Sequence, residues 1–134
     1  MTLNIRVIAP DKTVWDTQAE EVILPSSTGQ LGILTGHIPL LTALDIGVIR
    51  VRIDKEWKPL ILLGGFAEVE NDVITILVNG VEESKDLDIN QVQTELEEAA
   101  INLTESKTNK EKIEATQRLR KARARIQALN VLNN

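Results

Sequence analysis

Hydrophobic and polar residues alternate with a period of two at several points in the first part of the chain. Apolar positions alternate with polar ones over 3–7, 49–53 and 67–69, and an unbroken apolar run fills 22–24 before Pro25. Short segments of this kind, separated by turn residues every eight to twelve positions, are typical of antiparallel strands. The pattern therefore predicts an antiparallel β-sandwich or barrel.

Turn residues predict where the strands end. The apolar run over 60–63 is followed by Gly64-Gly65, which predicts a break in the strand. The pair Asn71-Asp72 predicts a tight hairpin turn leading into a strand over 73–78. We place the end of the β-rich part near Ser84.

After Asp88 the hydrophobic period changes to that of a helix. Asp88 with Gln91 three residues later is an N-cap signature, and Asn109 is the expected cap of a second helix after a polar break. Both helices carry narrow, alanine-rich apolar stripes, which predict an antiparallel hairpin docked weakly on the sandwich. The predicted fold class is α+β, with a β-sandwich domain over 1–85 and a helical hairpin over 86–134. The stripes comprise Ile89, Val92, Leu96, Ala99, Ala100 and Leu103, then Ala115, Leu119, Ala122, Ile126 and Leu129.

Composition narrows the possible chemistry. The 134 residues include 20 acidic and 15 basic side chains, no cysteine, one histidine and three aromatic residues. A chain without cysteine has no disulfide, thiol nucleophile or zinc knuckle, and one histidine does not make a two-histidine metal site. Three aromatic residues do not provide a base-stacking surface for nucleic acid. No signal peptide, transit peptide or membrane-spanning segment is expected.

The acidic and basic residues are sorted along the second half. Six acids and no base occur over 86–105, whereas eight bases and two acids occur over 107–125. Two interpretations of the basic tract stay open: a solvated helix face, or a surface for an acidic protein partner. Nucleic acid fits poorly with a net charge of −5, and an anionic membrane fits poorly with an alanine-rich apolar face.

His37 and the nearby glycines are the remaining chemical candidates. His37 has no partners in a triad signature, and it stands where a phosphate-binding loop would need lysine. Gly29, Gly32 and Gly36 are therefore expected to permit turns and close strand approach. Catalysis at His37 is the weakest of the functional interpretations.

Three separated segments resemble one known family. Residues 29–44 read Gly-Gln-Leu-Gly-Ile-Leu-Thr-Gly-His-Ile-Pro-Leu-Leu-Thr-Ala-Leu, and 66–78 read Phe-Ala-Glu-Val-Glu-Asn-Asp-Val-Ile-Thr-Ile-Leu-Val. Residues 112–127 read Lys-Ile-Glu-Ala-Thr-Gln-Arg-Leu-Arg-Lys-Ala-Arg-Ala-Arg-Ile-Gln. Together they resemble the epsilon subunit of F-type ATP synthases, in its cyanobacterial and plastid form.

The resemblance implies a flattened ten-stranded sandwich with a helical hairpin, and a non-catalytic role in the rotor. The implied partners are the gamma subunit, the c-subunit ring and the beta subunit of the catalytic head, with no cofactor or metal of its own. It assigns the c-ring contact to Gln30 and His37. It also implies that the hairpin restrains ATP hydrolysis when its basic residues meet an acidic loop of the beta subunit. Those residues here are Arg118, Arg120, Lys121, Arg123 and Arg125.

Two further expectations follow from the resemblance. Some bacterial relatives bind ATP through an (Ile/Leu)-Asp-x-x-Arg-Ala motif, where this chain has Gln91-Val92 in place of Arg-Ala, so tight ATP binding is not expected. The expected location is a plastid or cyanobacterial thylakoid, peripheral to the membrane on the stromal or cytoplasmic side. The rival from another class is a stand-alone sandwich that presents a basic helical arm to an acidic protein.

Overall fold

A computed structural model describes residues 2–132, apart from the side chain of Asp86. Eight strands precede two helices, which confirms the predicted α+β architecture. The strands are β1 (Leu3–Ala9), β2 (Lys12–Ala19), β3 (Glu21–Ser26), β4 (Gly29–Ile33), β5 (Leu40–Ile53), β6 (Glu56–Glu70), β7 (Val73–Val78) and β8 (Val81–Glu82). A 3₁₀ turn over Ser84–Asp86 leads to α1 (Ile89–Glu105) and α2 (Asn109–Leu132).

The strands form one hydrogen-bonded sheet that folds over into two layers. Its order is β2-β1-β7-β6-β5-β3-β4, with β8 paired to β6, and every pairing is antiparallel except that of β1 with β7. The alternating residues of β1 point into the core, where Leu3, Ile5 and Val7 are fully buried. The family resemblance implied ten strands, whereas residues 2–132 contain eight, of which β5 and β6 are the longest at 14 and 15 residues.

The predicted break at Gly64-Gly65 is wrong, because β6 continues through it from Glu56 to Glu70. Gly65 has φ +149°, and a Cβ added there would lie 2.0 Å from the carbonyl oxygen of Leu77. The glycines therefore bend the strand and let β7 approach closely, while β5 and β6 keep the same register on both sides of the bend.

Two of the two-residue hairpin turns have both central residues at positive φ. Asn71 and Asp72 have φ of 51° and 63°, and Asp54 and Lys55 have φ of 53° and 69°. Two successive positive φ values define the type I′ turn, whose twist matches that of paired strands. The predicted hairpin turn at Asn71-Asp72 is thus confirmed.

The two helix caps differ in how well they were predicted. Asp88 caps α1 as expected, since its Oδ1 accepts from the backbone N–H of Asn90 at 2.8 Å. The cap of α2 is Thr108, and the prediction of Asn109 is wrong by one residue. Thr108 Oγ1 accepts from the N–H of Glu111 at 3.1 Å, while Glu111 accepts from the N–H of Thr108 at 3.4 Å, which is a capping box.

Candidate interaction surfaces

The loop that carries His37 is a turn fixed to a neighbouring hairpin. The N–H of His37 donates to the carbonyl of Leu34 at 3.2 Å, with Gly36 at φ +83°, as in a type II turn. The N–H of Gly36 donates to Oδ1 of Asp72 at 2.7 Å, which ties the loop to the turn between β6 and β7. His37 is half-buried, with Nδ1 2.7 Å from the carbonyl oxygen of Ile38. The loop thus presents Ile38, which is 74% exposed.

Gln30 lies on the exposed face of β4 and has a partner of its own. Its Oε1 accepts from Nη2 of Arg50 at 2.8 Å, so the bond passes over β3. The structure therefore places Gln30 on a strand and His37 in the loop that follows the same strand.

An apolar row on the outer face of the sandwich was not anticipated from the sequence. Ala43, Phe66 and Leu77 are directly opposite one another on β5, β6 and β7. Phe66 is 58% exposed and Leu77 54% exposed, and Leu41 next to the row is also exposed. Contiguous exposed apolar side chains of this kind mark interaction sites in soluble proteins. We call Leu41, Ala43, Phe66 and Leu77 together the apolar row.

The hairpin folds against the opposite part of the sheet. Ala124 and Ala128 of α2 pack on Val48 of β5 and Ile61 of β6, and all four are buried. These alanines are not part of the apolar stripe predicted for α2. Four residues of that stripe are buried as well, namely Ala115, Leu119, Ala122 and Leu129. The helix therefore buries a second face, made of small side chains, against the sandwich.

Arg125 joins the sandwich to both helices. Its Nε and Nη2 donate to the two carboxylate oxygens of Glu82 on β8 at 2.7 and 2.9 Å, while Nη1 donates to Glu95 of α1 at 3.0 Å. These hydrogen bonds and the neighbouring charge of Lys121 lower the pKa of Glu82, although burial acts in the opposite direction. The pair is a bidentate, charge-assisted contact between protein segments 43 residues apart.

The four other basic residues that the resemblance assigns to the inhibitory contact divide into two groups. Arg118 and Lys121 share with Arg125 a groove between the helices that α1 lines with Glu95 and Glu98. Arg120 and Arg123 are exposed. Two acids of α1 and three bases of α2 therefore face each other in the folded hairpin. Some of the basic residues sorted into α2 thus have their acidic partners within the hairpin itself.

Over residues 2–132, no three His, Cys, Asp or Glu side chains come together as a group that could hold a metal ion. Neither described helix is long and apolar enough to cross a membrane.

Two domain families cover nearly the whole chain. Residues 2–84 match the beta-sandwich domain of the ATP synthase delta/epsilon chain, and 85–130 match its long alpha-helix domain. This chain belongs to the ATP synthase delta/epsilon chain family. The resemblance noted in the sequence is thereby confirmed, and the rival of a stand-alone module is set aside.

The similar proteins come from plastids and cyanobacteria. The "ATP synthase epsilon chain, chloroplastic" of Gracilaria tenuistipitata var. liui is 71% identical over 134 residues, covering all of both chains. That of Pyropia yezoensis is 68% identical over 96% of both chains. A cyanobacterial ATP synthase epsilon chain from Cyanothece is 59% identical over 96% of this chain and 95% of its own.

Solved structures share the fold at low sequence identity. A chain of the mitochondrial ATP synthase of Euglena gracilis superposes with a TM-score of 0.83 at 18% identity, over 99% of this chain and 82% of that one. A chain from the central stalk and c-ring of the Tetrahymena thermophila mitochondrial enzyme gives 0.67 at 16% identity, over 96% of both.

Proposed function

We propose that the chain is the epsilon subunit in the rotor of a proton-translocating F-type ATP synthase. The observation that carries the proposal is full-length similarity to chloroplastic and cyanobacterial epsilon chains, shared by the sandwich and the hairpin. The subunit couples rotation of the c ring to the catalytic head and performs no catalysis itself. It resides at a plastid or cyanobacterial thylakoid membrane, held there through the complex on the stromal or cytoplasmic side.

The sandwich supplies the docking surfaces in this proposal. The apolar row fits the gamma subunit, because a permanent partner covers exposed aromatic and aliphatic side chains. Gln30 and the His37 loop meet the polar loops of the c ring. The loop suits such a contact because its hydrogen bonds to Leu34 and Asp72 hold its shape before binding.

The hairpin supplies inhibition of ATP hydrolysis. In the folded hairpin, Arg118, Lys121 and Arg125 line the groove beside the acids of α1. When the hairpin extends, these three residues and the exposed pair Arg120 and Arg123 approach an acidic loop of the beta subunit. The folded state is held by a contact in which α2 contributes only alanine side chains, together with the ion pairs of Arg125, and we infer that the free-energy gap to an extended state is small enough for a switch.

Removal of the hairpin tests the inhibitory role. The complex is reconstituted with the full chain or with residues 1–87, and ATP hydrolysis and proton-driven ATP synthesis are both measured. We expect faster hydrolysis with synthesis retained. Truncation exposes the apolar side chains of Val48 and Ile61, which could bind other proteins nonspecifically. A second truncated chain with Val48→Ser is the control for such nonspecific binding. Equal hydrolysis rates with and without the hairpin would refute inhibition.

Nucleotide binding is expected to be weak. Val92, which replaces the motif alanine, is buried, Gln91 replaces the motif arginine, and Arg125 is already paired with Glu82 and Glu95. Titration calorimetry of the purified chain with MgATP should show no binding in the micromolar range. Tight binding would overturn this part of the proposal.

A further inference from the structure

The contact between the hairpin and the sandwich combines a small apolar part with a strong ionic part. The apolar part is a cluster of Ala124 and Ala128 on Val48 and Ile61, to which each alanine contributes one methyl group. The half-buried side chains of Ile46, Leu63 and Leu87 pack against the same cluster. The ionic part is the bidentate pair of Arg125 with Glu82, whose side chains are 24% and 27% exposed. A partly buried, bidentate pair is held more firmly than an exposed one, because solvent and salt screen it less.

Arg125 also contacts α1, and that second bond is separable from the first. Nη1 reaches Glu95 at 3.0 Å, while Nε and Nη2 are used by Glu82. Loss of Glu82 therefore leaves the bond between the two helices in place. Loss of Glu95 leaves the bond between hairpin and sandwich. One guanidinium thus serves two interfaces through different nitrogen atoms.

We propose that Glu82 and Arg125 form an ionic latch that keeps the hairpin folded, and that Glu82 thereby competes with the acidic partner for the same guanidinium. The latch itself stands on the geometry above; the competition rests on the proposed function. A guanidinium that donates to three carboxylate oxygens in the folded state is not available to another acid. The hairpin must therefore break the two hydrogen bonds between Arg125 and Glu82 before Arg125 can bind an acidic partner.

The first test measures opening in the isolated full chain. The sequence has no cysteine, so Lys58→Cys and Asn130→Cys on exposed positions give two unique labels. Glu82→Gln should raise the population of long label distances about tenfold, a change typical of losing a charge-assisted contact. Glu83→Gln is the matched control, since Glu83 pairs with Lys85 and should leave the distances unchanged. Unchanged distances in Glu82→Gln would overturn the latch.

Charge reversal tests whether the effect belongs to the pair. Glu82→Arg and Arg125→Glu should each open the hairpin, and the double variant should close it again. A carboxylate at position 125 would face Glu95, so all variants are compared in a Glu95→Gln background. Failure of the double variant to restore closure would mean that the two residues act independently, which contradicts the proposal.

The assembled complex separates the latch from the inhibitory role. Glu82→Gln should lower ATP hydrolysis severalfold, because Arg125 of the open hairpin is then available to bind the acidic loop of the beta subunit. Arg125→Gln should also open the hairpin but lower hydrolysis less than Glu82→Gln does, because this variant lacks one of the basic residues that meet the acidic loop. If Glu82→Gln opens the isolated chain and hydrolysis is unchanged, the latch stands and competition for an acidic partner is refuted. If the truncated chain is also without effect, the inhibitory function itself fails.

Discussion

Gln30 on β4 is bonded to Arg50 on β5, with Nη2 of Arg50 2.8 Å from Oε1 of Gln30. Strand β3 lies between these two strands, so the arginine side chain extends across it. A residue that the family resemblance assigns to the c-ring contact is therefore held in one orientation by a cation of its own sandwich.

This relationship predicts how charge at position 30 behaves. Gln30→Glu should convert the hydrogen bond into an exposed ion pair that stabilises the fold by about 0–1 kcal/mol. The gain should disappear in an Arg50→Gln background, as a double-mutant cycle in urea unfolding would detect. An equal gain with and without Arg50 would contradict the predicted pairing.

Gly65→Ala should be the most damaging glycine substitution. The new Cβ would lie 2.0 Å from the Leu77 carbonyl oxygen at a φ of +149°, so we expect a loss of on the order of 3 kcal/mol or more. Gly32→Ala is the control, because a Cβ there meets nothing within 4 Å. Urea unfolding should separate the two variants clearly; similar midpoints would show that β6 tolerates a side chain at this bend.

Removing the cap of α2 should cost about 1 kcal/mol, the usual effect of replacing a capping threonine by alanine. Thr108→Ala loses the bond to the N–H of Glu111, whereas Asn109→Ala should be close to neutral. Thermal unfolding gives the stability change, and hydrogen exchange localises it to the first turn of α2. A larger loss in Asn109→Ala would restore the prediction made from the sequence.

Docking of the hairpin should depend on pH through Glu82. Arg125 lowers the pKa of the Glu82 carboxyl in the folded state, with a further contribution from Lys121. The stabilisation is therefore complete above the ordinary glutamate pKa of about 4.3 and is lost as the pH falls through the lower folded value. The label distance between positions 58 and 130 should lengthen across that acidic range.

The control for this pH dependence is Glu82→Gln, which has no carboxyl to protonate and should show a much weaker response. Glu83→Gln should respond like the unmodified chain. A Glu82→Gln chain with the same pH response as the unmodified chain would assign the titration to other carboxylates.

The apolar row should decide affinity for the gamma subunit. Phe66→Ala should weaken binding of purified gamma more than tenfold, because a half-exposed aromatic ring at the centre of a row is a typical interface anchor. Stability should change little, since the side chain is 58% exposed. Ile101→Ala, at a similarly exposed position on α1, is the control and should leave affinity unchanged. Equal effects would place the gamma contact elsewhere.

The sequence predicted features that depend on local conformation. Asp88 was recognisable as a cap and Asn71-Asp72 as a turn, because each depends on backbone preferences within a few residues. Strand β2 and the glycine-rich β4 were not predicted as strands. They are edge strands with few buried residues, so neither shows a clear alternation.

The features that sequence did not predict arise from pairing between distant segments. Ala124 and Ala128 lie among arginines, so nothing in their own helix marks them as a buried face. Glu82 and Arg125 are 43 positions apart, and their contact exists only once α2 lies across the sheet. Arg118, Lys121 and Arg125 of α2 line one groove, and the acids that they meet there in the folded hairpin belong to α1.

The long strands β5 and β6 give the sandwich a mechanical property. They are 14 and 15 residues long, remain paired from Leu40–Val69 to Ile53–Glu56, and belong to both layers. At about 3.3 Å per residue, each approaches 45–50 Å in length. A twisting load taken up by one layer therefore reaches the other through backbone bonds and ladder hydrogen bonds, without relying on side chains sliding in the core. We therefore expect the sandwich to act as a stiff torsional coupling between its two layers.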